Sequence, residues 1–359
     1  MKQAPAEFDL IVVGAGPAGS TCAAFCSAGG MRVLLLEKAK FPREKVCGDC
    51  VNPACWPILE RLGVADKVRR LPHSQLSEVE FIGTHGAPIR FPLHASATGE
   101  VAVKRSLLDD LLLQRAADCG AVVRQSSAVT SVDRTPDGAG WRVQTTQGTF
   151  SSTSLVAADG RNSTVARLLG LLPPARKDRL GLQTHVSAPP DFGERVSMRF
   201  LPHGYCGVAS VGEGQLNLCL VARPQFIGEL KRWAATNFSI ASDQQWQTIA
   251  PLARSPVSPV HDHLLLVGDS ARVVEPFTGE GIYYALATGE LAARHLIAGT
   301  LPSYERDHRQ LYRGRLWINE LSRMAAEHPR LATVALDIAR FRPGLLRFLT
   351  SKVIGSALP

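Results

Sequence analysis

The start of the chain alternates apolar runs with a helical stretch. Residues 8–13 form an apolar run that ends at Gly14, and residues 17–28 form an alanine-rich helical stretch. A second apolar run covers residues 31–36 and ends at Glu37. Turn glycines stand at both joints, so this pattern predicts one strand–helix–strand unit with parallel strands.

The rest of the chain shows two patterns that take turns. Helices or buried strands are predicted for residues 107–119, 121–124, 141–145, 155–158, 264–268 and 282–296. Alternating apolar and polar positions predict antiparallel strands at residues 79–82, 89–92, 196–200, 206–211 and 215–220. From residue 304 onwards the pattern is mostly helical and rich in arginine.

Because the two patterns interleave, we predict an α/β fold with two structural units. A discontinuous Rossmann-like nucleotide-binding domain carries an inserted, mainly antiparallel β-sheet substrate domain and C-terminal helices. The predicted nucleotide-binding parts are residues 1–71, 101–175 and 259–300. The predicted substrate-domain parts are residues 72–100 and 176–258, and residues 301–359 form the helical region.

Composition narrows the class of protein. The 359 residues are 45% hydrophobic and 20% charged, which is typical of a compact globular protein of two or three units. The first nine residues include Glu7 and Asp9 and lack the regions of a signal peptide, so we expect a cytoplasmic location. No apolar run reaches the roughly 18 residues that span a bilayer, so membrane contact is expected to be peripheral at most.

The net charge of +8 is compatible with acidic lipid, an acidic redox partner, nucleic acid or a phosphate-bearing cofactor. No nucleic-acid motif is present and few aromatic residues lie between the basic ones, so no nucleic-acid partner is predicted. The C-terminal residues 341–354 mix Arg, Lys, Leu and Phe in the manner of a membrane-surface segment. A solvated face of a packed helix is the alternative interpretation of the C-terminal arginines.

The glycines after the first strand predict a phosphate-binding turn. Gly14 permits the turn, Gly16 lets a pyrophosphate approach, and Gly19 allows close helix packing. Pro17 and Ala18 open the helix, whose free N–H groups face the phosphates. Glu37 ends the second strand, where a carboxylate accepts hydrogen bonds from ribose hydroxyls. A tight structural turn is the alternative, and the turn alone does not choose between NAD and FAD.

Two later segments add to this turn. The first is Ala158, Asp159, Gly160, Arg161, Asn162, Ser163, Val165 and Arg167, and the second is Gly268, Asp269, Ser270, Ala271, Pro276, Gly279, Glu280 and Gly281. In these segments the first 300 or so residues resemble the flavoproteins that include geranylgeranyl reductases, group A aromatic hydroxylases such as para-hydroxybenzoate hydroxylase, and flavin-dependent halogenases. The resemblance implies that the cofactor is FAD.

The resemblance also implies roles for individual residues. Asp269 is expected to bind the ribitol chain, the backbone of residues 279–282 to cap the N1/O2 edge of the isoalloxazine, and Arg105 to contact the phosphate and ribose region. A helix start near the flavin stabilises negative charge on the reduced ring. The full set of expected cofactor residues is Gly14, Gly16, Pro17, Ala18, Gly19, Glu37, Lys38, Arg43, Cys47, Gly48, Arg105, Asp159, Gly160, Gly268, Asp269, Pro276, Gly279, Glu280, Gly281 and Ile282.

Residues 41–49, with the sequence FPREKVCGD, resemble the loop of the geranylgeranyl reductase branch that passes near the flavin. The resemblance implies that Cys47 lies at the flavin face, where it positions substrate or relays a proton; a structural loop cysteine is the alternative. Cys47 and Cys50 form a CxxC, but no further ligands at metal spacing and no thioredoxin-like context accompany them, so no metal is predicted.

The chain departs from the reductases at residues 205–210, which read YCGVAS where the family has a Tyr-x-Trp-x-Phe-Pro motif. Tyr205 is retained and is the second catalytic candidate beside Cys47. The small residues that follow it are expected to enlarge the pocket or to admit a bulkier, less linear substrate. The tryptophan pair of the halogenases is absent, so halogenation is not predicted.

These features predict an FAD-dependent oxidoreductase that reduces, or in reverse introduces, a carbon–carbon double bond in a hydrophobic isoprenoid-like or secondary-metabolite substrate. NAD(P)H or a small electron-transfer protein is the expected reductant. The alternatives are an FAD-dependent monooxygenase that hydroxylates an aromatic or polyketide-like substrate, a non-catalytic flavin-binding subunit, and an NAD-only dehydrogenase.

Overall fold

The computed structural model describes residues 7–93, 98–176 and 179–341, which form four β-sheets and surrounding helices. The α-helices span Pro17–Ala28, Trp56–Arg61, Ala65–Arg70, Arg105–Asp118, Thr164–Leu168, Ile227–Asn237, Gly281–Ala298, Leu301–Leu311, Leu316–Glu327 and Pro329–Phe341. Short 3-10 turns span Pro53–Cys55, Pro224–Phe226, Gly268–Ser270 and Pro276–Thr278.

The first large sheet has parallel strands at its centre. In spatial order its main strands are Val260–His261, Leu264–Leu266, Gly148–Ala157, Phe8–Val13, Val33–Leu36 and Val122–Arg124. An antiparallel extension, formed by Trp141–Thr145 and Val129–Arg134, pairs with the first half of Gly148–Ala157. Both faces of the central strands are buried, which explains their continuous apolar sequence.

Alternate side chains of these strands pack into two separate hydrophobic cores. Leu10 and Val12 pack under the helices Pro17–Ala28 and Gly281–Ala298. Ile11 and Val13 pack on the opposite side, against the antiparallel extension and the short helix Thr164–Leu168. The period-two alternation of a strand therefore decides which core each side chain joins.

The second large sheet is mainly antiparallel. In spatial order its strands are Gln247–Ile249, Leu180–Ser187, Gln215–Ala222, Gly204–Ser210, Arg195–Leu201, Glu78–Ile82 and Ile89–Pro92. Helix Ile227–Asn237 covers one face with an apolar core that includes Leu218 and Leu220. The other face carries Phe200 and Tyr205 and turns toward the first sheet and the C-terminal helices.

Two small sheets connect these layers. One joins Cys50–Val51, Val101–Val103 and His73–Gln75, and the other joins Ala175–Arg176 and Ala253–Arg254. Helices Leu316–Glu327 and Pro329–Phe341 pack on the second large sheet, against Gly204–Ser210 and Arg195–Leu201 respectively.

The predicted fold class is confirmed, with a parallel α/β sheet and a separate mainly antiparallel sheet. The chain enters the parallel sheet in three stretches and the antiparallel sheet in two, but the exact domain boundaries stay a prediction. The predicted strand at 155–158 is longer, Gly148–Ala157, because its polar first half, which the apolar pattern does not reveal, pairs with the antiparallel strand Trp141–Thr145. None of the helices within the described ranges has the length and hydropathy needed to cross a bilayer.

Candidate active site

A single cavity of about 880 Å³ runs from the carboxyl end of the parallel sheet to the inner face of the antiparallel sheet. This is where ligands bind in open α/β sheets. Most residues predicted for the site line it: Gly14, Gly16, Pro17, Ala18, Glu37, Lys38, Arg43, Cys47, Gly48, Arg105, Asp159, Gly160, Tyr205, Gly268, Asp269, Pro276, Gly279, Gly281 and Ile282. Their individual roles stay predictions.

Two glycines shape the end of the cavity beside the first helix. Gly14 has a φ of 99°, and a Cβ added there would lie 2.6 Å from the carbonyl oxygen of Ala158. A Cβ on Gly16 would instead meet only the Arg43 guanidinium, at 3.9 Å, so the space in front of Gly16 is open. The first-turn N–H groups of the helix have no partner within the helix and are available to an anion.

Glu37 is held rigidly by backbone donors. Its two carboxylate oxygens accept hydrogen bonds from the N–H groups of Ala15 and Ala39, each at 2.9 Å, and the side chain is buried. The acid at the end of the second strand therefore also fixes the glycine turn. Its position fits the ribose-binding acid of a dinucleotide site.

Cations gather around the middle of the cavity. Arg105 donates two hydrogen bonds to Asp109, at 2.6 and 2.8 Å, and Arg43 Nη1 lies 3.1 Å from the same carboxylate. Lys45 lines the cavity nearby, and burial, together with the charges of Arg105 and Arg43, lowers its pKa to about 8. A cluster in which burial and neighbouring cations disfavour the charge of the lysine has room for negative charge, which fits the pyrophosphate of FAD.

The two later predicted segments meet each other beside this cluster. The N–H of Gly160 donates to the Ser270 hydroxyl, at 2.9 Å, and Arg161 forms an ion pair with Asp269, also at 2.9 Å. Asp159 accepts hydrogen bonds from the first N–H groups of the helix that begins at Thr164. Asp159 therefore anchors that helix as well as lining the cavity.

Two predicted cofactor residues lie away from the cavity wall. Gly19 sits so close to Gly14 that a Cβ would be 1.8 Å from the Gly14 carbonyl oxygen, so its position serves helix packing. Glu280 is buried in an ion pair with Arg315. Burial raises the pKa of the Glu280 carboxyl, and the Arg315 charge opposes that rise.

The loop that carries Cys47 is tied to the antiparallel sheet. The Asn217 side-chain amide donates to the Cys47 carbonyl oxygen at 2.7 Å, and the Cys219 thiol donates to the same oxygen at 3.3 Å. Burial raises the pKa of the Cys47 thiol, while the neighbouring Arg105 charge opposes the rise. Sequence reasoning missed Asn217 and Cys219, because only the packing of distant segments brings them to this loop.

Sequence reasoning also missed the pair formed by Asp49, two residues after Cys47, and His185. Asp49 is buried, adopts a φ of 61°, and lies 3.1 Å from His185 Nε2. Burial raises the pKa of Asp49, and the hydrogen bond from His185 opposes this. The pair helps to fasten the Cys47 loop to the strand Leu180–Ser187.

Tyr205 lies in the apolar part of the cavity. Its side chain is buried, its ring meets Phe277 edge-on at 5.3 Å, and its hydroxyl has no hydrogen-bond partner among the described residues. Burial, reinforced by the charge of Glu275, raises the pKa of the hydroxyl well above its usual range. The surrounding walls are apolar, with Phe81, Met198, Phe200, Leu252, Phe277 and Leu336.

The small residues that were expected to enlarge the pocket do not all face it. Cys206 faces the core on the far side of the sheet. The Met198 sulfur lies 3.2 Å from the position of a Cβ on Gly207, so the methionine takes up the space there. A flexible thioether on the neighbouring strand therefore lies in the space beside Gly207.

The eight cysteines are all free thiols, so Cys47 and Cys50 do not form a disulfide. Within the part of the chain that the structure describes, no group of His, Cys, Asp and Glu side chains could hold a metal ion.

Comparison with known proteins agrees with the geometry. The FAD binding domain profile matches residues 7–195. A menaquinone reductase of Mycolicibacterium smegmatis is 31% identical over 82% of this chain and 78% of its own length. A digeranylgeranylglycerophospholipid reductase of Methanopyrus kandleri is 27% identical over 80% of this chain and 76% of its own length.

Solved structures share the fold at lower identity. The flavin-dependent brominase Bmp2 superposes with a TM-score of 0.77 at 20% identity, covering 97% of this chain and 94% of its own. PqsL of Pseudomonas aeruginosa, a probable FAD-dependent monooxygenase, superposes with a TM-score of 0.76 at 19% identity, covering 92% and 99%. At these identities the likeness concerns the fold alone.

Proposed function

Since the chain belongs to the flavoprotein family defined by the FAD binding domain, we propose that it hydrogenates a carbon–carbon double bond in the isoprenoid chain of a hydrophobic substrate. The chain is an FAD-dependent oxidoreductase of the geranylgeranyl reductase type. The relatives named as menaquinone and digeranylgeranylglycerophospholipid reductases support a lipid-like substrate. NAD(P)H or a small electron-transfer protein on the cytoplasmic side is the proposed reductant.

One observation carries the proposal: the cradle that fits FAD and an apolar compartment are parts of the same cavity. The compartment is walled by Met198, Phe200, Leu252 and Leu336. Apolar walls with few convergent polar groups suit a substrate that is mostly hydrocarbon. An isoprenoid chain can enter such a compartment with little loss of hydration, because it carries no polar groups to desolvate.

Reduced FAD supplies a hydride when it is bound at this site. Saturating the double bond then requires one proton at the other alkene carbon. We assign that proton to the Cys47 thiol, which lines the cavity and whose raised pKa keeps it protonated. The nearby Arg105 stabilises the thiolate left behind, and solvent returns the proton after each turnover.

Tyr205 has a positioning role in this proposal. The buried Tyr205 hydroxyl has no partner among the described residues, and a polar group of the bound substrate is the partner proposed for it. Its raised pKa keeps the hydroxyl neutral, so it can donate a hydrogen bond to a polar substituent of the substrate, such as a carbonyl. The hydrogen bond would fix which double bond lies next to the flavin.

The test is anaerobic turnover of FAD-loaded protein with a menaquinone that carries an unsaturated isoprenoid chain, with NADPH or dithionite as reductant. The products are first reoxidised in air so that the ring returns to the quinone, and mass spectrometry should then find a product that has gained two hydrogens in its isoprenoid chain. Cys47→Ala should reduce product formation about 100-fold or more while FAD stays bound. Cys119→Ala, at a half-buried thiol away from the cavity, is the matched control and should retain activity.

Other products would contradict the proposal in distinct ways. A product that gains one oxygen in air, and no product without air, would identify a monooxygenase instead. Flavin that is reduced without any change in added isoprenoid, aromatic or polyketide compounds would favour a flavin-binding subunit. A colourless purified protein that binds only NAD would remove flavin chemistry altogether.

A further inference from the structure

The penultimate described helix, Leu316–Glu327, exposes apolar side chains on its outer face. Trp317, Leu321 and Met324 are each about half exposed. Their spacing of four and then three residues puts them on one side of the helix. The opposite side is anchored, because Ile318 and Ala326 are buried.

The last described helix, Pro329–Phe341, repeats the pattern more strongly. Leu331, Val334 and Ile338 are 67%, 53% and 58% exposed, and their spacing again puts them on one side. The inner side carries Ala332 and Leu336, which pack with Phe200 and Tyr205. A surface helix of a globular protein normally has one apolar side and one polar side, whereas this helix is apolar on both.

The exposed side chains of the two helices therefore form an apolar patch, which we call the outer face. It consists of Leu316, Trp317, Leu321, Met324, Leu331, Val334 and Ile338. Apart from Val122, Leu168 and Ile297, these are all of the large apolar side chains that are exposed in the described ranges. Exposed apolar side chains that cluster in this way mark an interaction surface, while isolated ones do not.

The acidic side chains of these helices are largely offset, because Glu320 and Glu327 pair with Arg323 and Asp337 is half-buried. The remaining charge around the outer face favours a negatively charged partner. Arg313 and Arg330 are exposed at its edges. Beyond Asp337 the sequence contains basic residues at 340, 342, 347 and 352 and no acidic residue. Apolar side chains with tryptophan and arginine at their border are typical of helices that lie in the interface of a membrane with acidic lipids.

The outer face is also continuous with the cavity. Leu321 is exposed and at the same time lines the cavity, as does the exposed Ala335 of the next helix. Inward of these, Ile318 and Leu336 continue the apolar wall. An apolar ligand could therefore pass between the outer face and the cavity without crossing a polar surface.

We propose that the outer face docks onto the surface of a bilayer that contains anionic lipid, and that the cavity opens there. Docking would let a lipid-dissolved substrate enter without passing through water. Burial of Trp317, Leu331 and Ile338 in the interface provides the apolar part of the binding, and the surrounding arginines provide the electrostatic part. The docking surface is independent of which reaction the cavity performs.

The test is co-sedimentation of the full-length, FAD-loaded chain with vesicles of phosphatidylcholine, with and without phosphatidylglycerol. Binding is expected, and it should be stronger with phosphatidylglycerol. Leu331→Gln combined with Ile338→Gln should weaken binding roughly 30-fold, because two apolar side chains no longer enter the interface. The matched control is Ile297→Gln, at an isoleucine that is 48% exposed on another helix and should not affect binding.

A second measurement identifies the contact directly. Vesicles with brominated acyl chains should quench tryptophan fluorescence, and Trp317→Phe should remove most of that quenching. Of the other tryptophans, Trp56 and Trp141 are buried, and Trp233 and Trp246 pack behind the antiparallel sheet. Neither measurement needs turnover, so a failed docking proposal and a failed reductase proposal can be told apart.

Three outcomes would overturn the proposal. The first is that the full chain does not bind either vesicle. The second is binding that high salt abolishes and that the glutamine variants leave unchanged, which would assign it to charge alone. The third is a concentration-dependent dimer that Leu331→Gln and Ile338→Gln dissociate, without vesicle binding, which would assign the outer face to a second copy of the chain.

Discussion

Replacing Gly16 by alanine should separate FAD binding from folding. Gly16 has a φ of −70°, which any residue adopts, and an added Cβ would meet nothing closer than the Arg43 guanidinium at 3.9 Å. The FAD-free variant should therefore be as stable as the wild type, or more stable by about 0.4–1 kcal/mol, because alanine restricts the unfolded chain. The same methyl group points into the space that the phosphates are predicted to fill.

The effect on FAD follows from the hydrogen bonds that the methyl group would displace. Losing one N–H hydrogen bond to a charged phosphate costs about 1.5–3 kcal/mol. Because 1.36 kcal/mol corresponds to a factor of ten, the Kd for FAD should rise roughly 10- to 100-fold. Fluorescence titration of the FAD-free protein measures the Kd, and urea unfolding of the same sample measures stability.

Two glycine controls bracket this prediction. Gly228 is an exposed residue of the helix Ile227–Asn237, so Gly228→Ala should raise stability by up to about 1 kcal/mol without changing the Kd for FAD. Gly289→Ala should destabilise the FAD-free protein, because its Cβ would lie 2.3 Å from the Ala18 carbonyl oxygen. If Gly16→Ala bound FAD with wild-type affinity, the reasoning that puts the phosphates in front of this turn would be refuted.

Three further predictions concern buried polar groups. Tyr205→Phe should lower kcat/KM for the isoprenoid substrate about 3- to 10-fold without loss of stability, since one neutral hydrogen bond to substrate is removed. The control Tyr312→Phe removes another buried, unpartnered hydroxyl that lies away from the cavity, and it should leave kcat/KM unchanged. FAD affinity should fall by up to about tenfold as the pH rises from 7 to 9. The reason is that Lys45, with a pKa of about 8 in the FAD-free protein, loses the charge that attracts phosphate. The variant Lys45→Met should remove this pH dependence. Arg179→Met should lower the free energy of unfolding, measured with urea, by about 3–5 kcal/mol, because it leaves the buried Glu275 carboxylate without its ion-pair partner at 2.8 Å. Adding Glu275→Gln should recover much of that loss.

Each of these has a clear contrary result. Equal losses of kcat/KM in Tyr205→Phe and Tyr312→Phe would show that neither hydroxyl contacts substrate. A pH dependence of FAD affinity that persists in Lys45→Met would assign it to another group. Unchanged stability in Arg179→Met would mean that water reaches the Glu275 carboxylate and that the pair is not desolvated.

Local sequence patterns predicted much of the nucleotide-binding half. A strand ending in glycine, a helix opened by Pro17 and a second strand ending in Glu37 are consecutive in the chain, so their geometry follows from turn chemistry and periodicity alone. The family resemblance added the segments around Asp159 and Asp269, which the fold brings to the same cavity. Their short-range structure is set by neighbours within a few residues.

Other features depend on contacts between residues that are far apart in the sequence. The hydrogen bond from Asn217 to the Cys47 carbonyl joins residues 170 positions apart, so it exists only because the fold packs the Cys47 loop against the strand Gln215–Ala222. The lowered pKa of Lys45 arises from burial beside cations of other elements. Neither of these has a signal in the local pattern.

The sequence by itself therefore determined the fold class and predicted the phosphate turn, because these rest on periodicity and local backbone geometry. The family resemblance of motifs within short segments gave the FAD cofactor. Only the tertiary structure decided that Met198 fills the space beside Gly207, that Glu280 turns into an ion pair with Arg315, and that the outer face remains exposed. The physical reason is that side-chain volume, burial and charge become defined only when distant segments pack against each other.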